Sequence, residues 1–575
     1  MTSPAFGSAL KLNLSNIVMD ILACASLSLL ELAVLQPAGE FNGLAAFRRF
    51  LVVLVAQYAV LKFYRVVLYP NFFSPLRHLP GPKDHNLLLG QELRKLRADG
   101  PASMQLEWMR RWPDAAFIRY VSFAGREVLL ANSLDAHRAV VQTHAYDFVK
   151  PPLFARLVGE ITGTGLLFAE GATHRRERRL LAGPLSVPGV RKLAPVFRAK
   201  AAALSDVFAR TLAGKPRATI EVLDTFSRST MDTIGVTVLG VELDELSAAH
   251  PLGFRELYGR LLHQGRTGQL LSVVNAFVPI RRLAAPLAAN RRFLRATRDL
   301  RAMLRDVVER RAAELAAGRF GGGKAESRDL LTYMLEEAQT RRRETGADIW
   351  SVDDIIGHLL NFTSAGHEST ATTLSWSVYV LATHPAMQDR LRVEIRGLLA
   401  AHPEPDHDAI AALPFLHNFV REVLRVYPPS YMAQREAVRD LVLDGVHVPR
   451  GTQVDLCIPL AHQHPGVWGS GAAAFDPDRW DALAAAAASP FAFEAFLQGP
   501  RACPGRALAL ALVKAVLVTL VPRWCFVGLR RRRRPGQTEE EEEDDDDNDD
   551  APVKLANPSL TLGPADGLHV RFERV

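Results

Sequence analysis

The sequence predicts a mainly α protein with a small β region (α+β): one large helix-rich domain behind an N-terminal membrane anchor. Three observations lead there. Apolar residues recur at helical spacing from Asp135 to about Arg311, and again from Ser351 to Val426. Only short stretches alternate as strands do, and two apolar segments precede Pro70. Composition agrees, since 575 residues with 48% apolar and 23% charged side chains can bury a large core. A net charge of +7 leaves no basic footprint for nucleic acid. Four cysteines in so long a chain exclude a disulfide framework and fit a reducing compartment.

The anchor comes first. Leu14 to Leu35 is apolar but carries Asp20 and Glu31, while FLVVLVAQYAVLKFYRVVLY (Phe50 to Tyr69) is interrupted only by Lys62 and Arg65. Each approaches the ~20 residues that cross a bilayer. Lys62 and Arg65 can snorkel to the interface, whereas Asp20 is too short to do so. Residues 1–70 therefore read as an uncleaved anchor of one or two spans; a pair of core helices is the alternative. Pro70, Pro75, Pro80 and Pro82 stiffen the segment that follows. Arg65, Arg77 and Lys83 place the remainder of the chain on the cytoplasmic side, though Arg48 and Arg49 blur that bias.

The rest follows in order. FIRYVSFAGREVLLA (Phe117 to Ala131) alternates around Gly125 as a β-hairpin. Residues 318–326, GRFGGGKAE, form a glycine-rich loop. Ser351-Val-Asp-Asp caps a long helix running to about Thr383, with its acidic residues where the helix dipole favours them. Helices follow at Pro385 to Ala400 and Phe415 to Val426, and strands at Glu436 to Leu443 and Thr452 to Cys457. The alanine run Ala484 to Ala488 is a loop or a short helical turn. Arg530 to Arg534 and the acidic run to Asp550 form a solvated, disordered insertion that interrupts a strand pair.

The stretch FLQGPRACPG (Phe496 to Gly505) sets one of the four cysteines directly before a long apolar helix. Free amides and the dipole at a helix start favour a thiolate. Gly499 and Gly505 let the backbone turn and approach the sulfur. A metal-bound or nucleophilic Cys503 fits this setting better than an inert core thiol. Zinc would need more cysteines or histidines at short spacing, and a nucleophile would need a base. A lone thiolate suits haem iron, with Arg501 placed to pair with a propionate.

FLQGPRACPG resembles the cysteine loop of the cytochrome P-450 family at Phe496, Gly499, Arg501, Cys503 and Gly505. Two further motifs match in order. REVLR, with Glu422 and Arg425, resembles the family's Glu-x-x-Arg helix, and FDPDRW its partner segment. The three together imply a buried network of Glu422, Arg425 and Arg479. AGHEST (Ala365 to Thr370) is similar to the oxygen-activating segment. There Gly366 would let the helix open locally while Glu368 and Ser369 pass protons toward dioxygen. Serine stands where the family usually has threonine, so Thr370 shares the expected role. EGATHRRERR resembles the helix bearing a propionate-binding tryptophan and arginine; here His174 replaces the tryptophan and Arg178 is kept. Arg435 in MAQREA looks like the third propionate partner.

The resemblance runs from about Pro75 to the end and is weakest at Pro151 to Leu166 and Ala248 to Leu287, where the family builds its substrate pocket. It implies a single haem domain over 71–575 holding haem b through Cys503. Asn361, Phe362, Ala365, Ser430, Tyr431 and Met432 are candidate substrate contacts. The implied activity is a monooxygenase that inserts one atom of O2 into a lipophilic substrate. Electrons would come from NADPH through a membrane-bound NADPH-cytochrome reductase. An endoplasmic reticulum membrane with the catalytic domain cytoplasmic, and a place in fungal secondary metabolism, are further implications. An oxygen-independent isomerase or dehydratase on the same fold, and a non-catalytic membrane-tethered haem-binding protein, are the alternatives; the intact Glu368-Ser369-Thr370 run argues against the first.

Overall fold

The computed structural model describes residues 19–575 except 32–42, 164, 248–252, 263, 278–279, 282–286, 319–328, 531–552 and 557–560. Two apolar helices open it, α1 over residues 19–31 and α2 over Gly43–Phe63. The second continues as a wider π-type turn through Tyr64–Phe73, where Pro70 withholds an amide. Residues Leu44–Phe73 are long and apolar enough to cross a bilayer. α1 lies antiparallel to α2. The Asp20 carboxylate, for which the sequence suggested no partner, accepts from Arg65 Nη1 at 2.6 Å and Lys62 Nζ at 3.0 Å.

The α2 extension docks on the first hairpin. β1 (Phe117–Val121) and β2 (Glu127–Ala131) pair antiparallel as the alternation predicts. At the hairpin tip Gly125 has φ +74, and a Cβ there would meet the Val66 carbonyl at 2.6 Å. Only glycine permits that approach. Arg119 Nη2 donates to the Pro70 carbonyl at 2.5 Å, fixing the same junction.

The hairpin belongs to a five-stranded sheet ordered β1-β2-β8-β5-β3, with β3 at Phe148–Val149, β5 at Met432–Ala437 and β8 at Gln453–Cys457. The strand expected over Glu436 to Leu443 is broken. β5 ends at Ala437, and β6 (Leu441–Leu443) pairs with β7 (Val446–Val448) across the Asp444-Gly445 turn, where both residues take positive φ. A third sheet, β4-β10-β9, unites Arg217–Glu221, His569–Arg574 and Trp524–Arg530. β9 and β10 pair antiparallel on either side of the charged block, which does interrupt a strand pair. The block itself, and most of GRFGGGKAE, lie outside the described residues.

Helices make up the remainder. Among them are α3 (Pro152–Thr162), α4 (Gly171–Leu180), α5 (Val222–Ile234), α6 (Phe254–Leu262), α7 (Gly265–Phe277), α8 (Val352–Thr383), α9 (Pro414–Val426) and α10 (Arg506–Leu520). Ser351 and Asp354 form the expected capping box at the start of α8. α8 runs through the largest apolar cluster, which joins residues from Leu166 to Phe572. Ala484 to Ala488 closes a single helical turn, Ala488 N donating to Ala484 O at 2.9 Å.

Candidate functional site

The site sits where the Cys503 loop, α4, β5 and α8 converge. Gly499 has φ +74, and a Cβ on it would run into the Val141 carbonyl, so the loop packs backbone to backbone on residues 141–142. Cys503 N donates to Phe496 O at 2.7 Å, closing the loop around the sulfur. Gly505 has an ordinary φ of −85°; its contribution is an amide at the thiol rather than an unusual turn. Cys503 is exposed to an open space yet ringed by protein. Burial pushes its pKa above the usual thiol value, against the pull of the Gly505 amide, Arg178 and Arg506. The Gly505 amide at the helix start and the two arginines thus all favour the thiolate, against the cost of burial.

Beside the thiol lies a buried group of cations. Arg501 pairs with Glu170 and donates to the Ala145 carbonyl, while its Nε is buried with no partner. Lys150 reaches Glu170 at 3.2 Å, and burial beside Arg435 and Arg501 lowers its pKa to about 8. Arg435 is buried on β5 with its pKa lowered to about 10 by burial and by Arg501. Its Nη1 donates to the adjacent Gln434 carbonyl at 2.8 Å. His174 is buried, its Nδ1 3.2 Å from the Tyr146 hydroxyl. Burial and then Arg501 hold it neutral, with a pKa of about 4. Arg178 is half-buried and close enough to Cys503 for the two to perturb each other. Among the described residues the cations here outnumber the carboxylates: Glu170 pairs with Arg501 and Lys150, and the more distant Glu494, which also acts on Arg435, is paired with His137.

These residues fit haem. A dianionic porphyrin edge would satisfy the orphaned Arg501 Nε and the excess charge of Lys150, Arg435 and Arg178, and Cys503 supplies the single axial sulfur. Lys150, Tyr146 and Glu170 escaped the sequence reading. Tyr146 and Lys150 lie in a segment with no motif of its own, Glu170 opens EGATHRRERR ahead of the residues that carry the resemblance, and the clustering alone identifies all three.

α8 carries the second half of the site. Phe362, Ala365, Gly366 and Ser369 are half-buried or open along one face, while most of the helix is buried. That i, i+3, i+4, i+7 stripe is the less covered face of the helix. Gly366 does not break the helix, which is continuous from Val352 to Thr383. Its missing side chain instead admits α5: a Cβ would sit 2.7 Å from Ile234 Cδ1. Glu368 Oε1 accepts from the Thr561 hydroxyl at 2.8 Å, a partner the sequence did not suggest. Ser369 Oγ donates back to the Ala365 carbonyl at 2.6 Å, and Thr370 is buried.

Asn361 is a correction. Its amide donates to the Thr162 and Gly163 carbonyls at 2.5 and 3.1 Å and its oxygen accepts from Leu167 N at 2.9 Å. It clamps the end of α3 to α8, with both amide protons committed to backbone carbonyls. Ser430 is exposed, while Tyr431 and Met432 are half-buried against the Trp108 cluster. Leu562 N donates to the Pro429 carbonyl at 2.9 Å, so the Thr561 segment passes beside these residues.

Glu422 and Arg425 on α9 are wholly buried and bidentate, at 2.7 and 2.9 Å. Arg479 Nε joins Glu422 at 2.9 Å, with Trp480 Nε1 at 3.0 Å and Asp476 N at 2.8 Å. Arg425 also donates to the carbonyls of His462, Ala472 and Ala474. The three motif residues thus meet as one network.

A model of the cytochrome P450 family matches residues 82–539. Cytochrome P450 monooxygenase sphH of Aspergillus fumigatus is 29% identical over 552 residues, covering 91% of this chain and 93% of that protein. Cytochrome P450 monooxygenase ALT8 of Alternaria alternata is 27% identical, over 80% of this chain and 86% of its own length. The heme domain of cytochrome P450DA superposes with a TM-score of 0.69 at 23% identity, covering 86% of this chain and 98% of that one.

Proposed function

The chain belongs to the cytochrome P450 family, and from that premise we propose that it is a membrane-anchored haem-thiolate monooxygenase of fungal secondary metabolism. The observation that carries the reading is the convergence of Cys503 with the buried Arg501, Arg435 and Lys150 and the half-buried Arg178. Cys503 would hold the iron of haem b; the cations, with neutral His174 as a further donor, would hold its propionates. Haem bound there supplies dioxygen binding and O–O bond cleavage, which a thiolate ligand favours.

The chain's own residues supply the rest. Glu368, held by Thr561, keeps a carboxylate beside the open stripe of α8, and Ser369 extends it with a hydroxyl that can rotate away from Ala365 O. Together they hold and move protons. Phe362 and Ala365 give the stripe an apolar face suited to a lipophilic substrate, with Tyr431 and Met432 as further candidate contacts. Leu44–Phe73 would anchor the chain in the endoplasmic reticulum membrane with the catalytic domain cytoplasmic. NADPH-cytochrome reductase would deliver the electrons on the Cys503 side.

The test uses membranes expressing the full chain. Reduced protein should show the thiolate-type carbon monoxide band, and Cys503→Ala should abolish it; survival of the band would exclude Cys503 as ligand. With reductase, NADPH and extracts of a fungal host, products heavier by one oxygen should appear. Their absence across lipophilic extracts, with the band intact, would instead favour the non-catalytic haem-binding alternative.

A further inference from the structure

The helix pair α1–α2 is arranged inside out. Along α1 the buried positions are Asp20, Cys24 and Ser28, a stripe of one side chain per turn that faces α2. Met19, Ile21, Leu22, Leu27, Leu29 and Leu30 point outward and are 42–62% exposed. α2 likewise turns Val52, Val55 and Val60 outward. The seam is polar: Asp20 meets Lys62 and Arg65, and Ser28 Oγ donates to Gln57 Oε1 at 3.1 Å. A pair of helices in water buries its leucines and exposes its charges. Polar side chains at the seam with large apolar ones outside is the arrangement for lipid.

The register fixes direction. Asp20 and Ser28 are two turns apart on α1, and their partners Arg65, on the π-type extension, and Gln57, on α2, are two turns apart in the opposite sense. The amino-terminal end of α1 therefore lies at the end of α2 that leads into the haem domain.

Resting on the anchor reading above, we infer that α1 is a second membrane-embedded helix, packed antiparallel on α2, so that its amino-terminal end, at Met19 and Asp20, lies on the same side of the bilayer as the haem domain. Asp20 is the lock. Lys62 and Arg65 could reach the interface alone, but Asp20 enters the bilayer edge only with their charges on its carboxylate.

The experiment places an N-glycosylation acceptor tag at the amino terminus of the full chain in sealed endoplasmic reticulum vesicles. Expected is an unglycosylated tag, lost to added protease as completely as after detergent, in protein that alkaline carbonate leaves in the membrane. A glycosylated, protected tag in retained protein would overturn the hairpin and leave a single span. Release by carbonate would overturn the anchor itself. A second measurement uses Ser28→Cys with Gln57→Cys in a Cys24→Ala background. Mild oxidation should link the two helices in a form that reduction reverses, and no link would also count against the hairpin. Asp20→Lys should turn the tag to the glycosylated state, because it sets like charges against Lys62 and Arg65.

Discussion

Removing the Glu422 carboxylate tests whether the α9 network is held by buried charge. In Glu422→Ala, Arg425 keeps its carbonyl acceptors but loses its carboxylate while remaining wholly buried. An uncompensated buried charge costs about 3–5 kcal/mol. Trp480 Nε1 and Asp476 N also lose their acceptor, about 1 kcal/mol or more each where water cannot reach. The loss should therefore be about 5–7 kcal/mol, against a stability on the order of 5–15 kcal/mol. Arg479→Ala is the control. Arg479 lies at the rim with its side chain 13% exposed, so Glu422 keeps its other donors and the loss should be about 1 kcal/mol. Urea titration of detergent-solubilised protein, followed by the thiolate-type carbon monoxide band, reads both. Glu422→Ala with Arg425→Met should recover part of the loss, because it removes both charges. Equal midpoints for Glu422→Ala and Arg479→Ala would refute the reasoning.

Three further outcomes follow from the site. Gly366→Ala should destabilise by about 1–3 kcal/mol through the Ile234 contact, and Ile234→Val in the same chain should restore the midpoint by removing Cδ1; no recovery would place the strain elsewhere. Lys150 titrates at about 8 in the folded chain and near 10.5 in the unfolded one, so between those values the unfolded chain binds the extra proton. Haem-free protein should gain up to about 3 kcal/mol as pH rises across that window and be flat below it, and Lys150→Met should remove the slope. Thr561→Val should lower the product formed per oxygen consumed by about fivefold, one hydrogen bond's worth, while Thr561→Ser should not; equal coupling in both would separate Thr561 from Glu368.

Local motifs were the legible part of this chain. The Cys503 loop and the Glu422-Arg425 pair lie within single turns, where spacing alone fixes geometry. The Ser351 cap and the β1–β2 hairpin were readable for the same reason. Residues whose roles depend on distant partners were not. Asn361 looked like a pocket residue because it stands one turn before Ala365, yet the backbone of residues 162–167 claims its amide. Gly366 looked like a hinge because glycine weakens helices, but Ile234 on another helix determines its use. β3 and β4 are too short, or too dependent on a partner strand, to alternate visibly in sequence.

The β9–β10 pair has an architectural consequence. Register holds from Trp524↔Arg574 to Arg530↔His569, with one irregularity at Arg571/Phe572, and the chain leaves the sheet only after Arg530. Both flanks are tied down, the later one through Thr561 and Leu562 against α8. For any connection between two fixed ends, each doubling of its length adds only about 0.6 kcal/mol of closure entropy. The junction between β9 and β10 is thus a graft point, where a fluorescent reporter or an electron-donating module could be spliced into the polypeptide while the two strands keep their register.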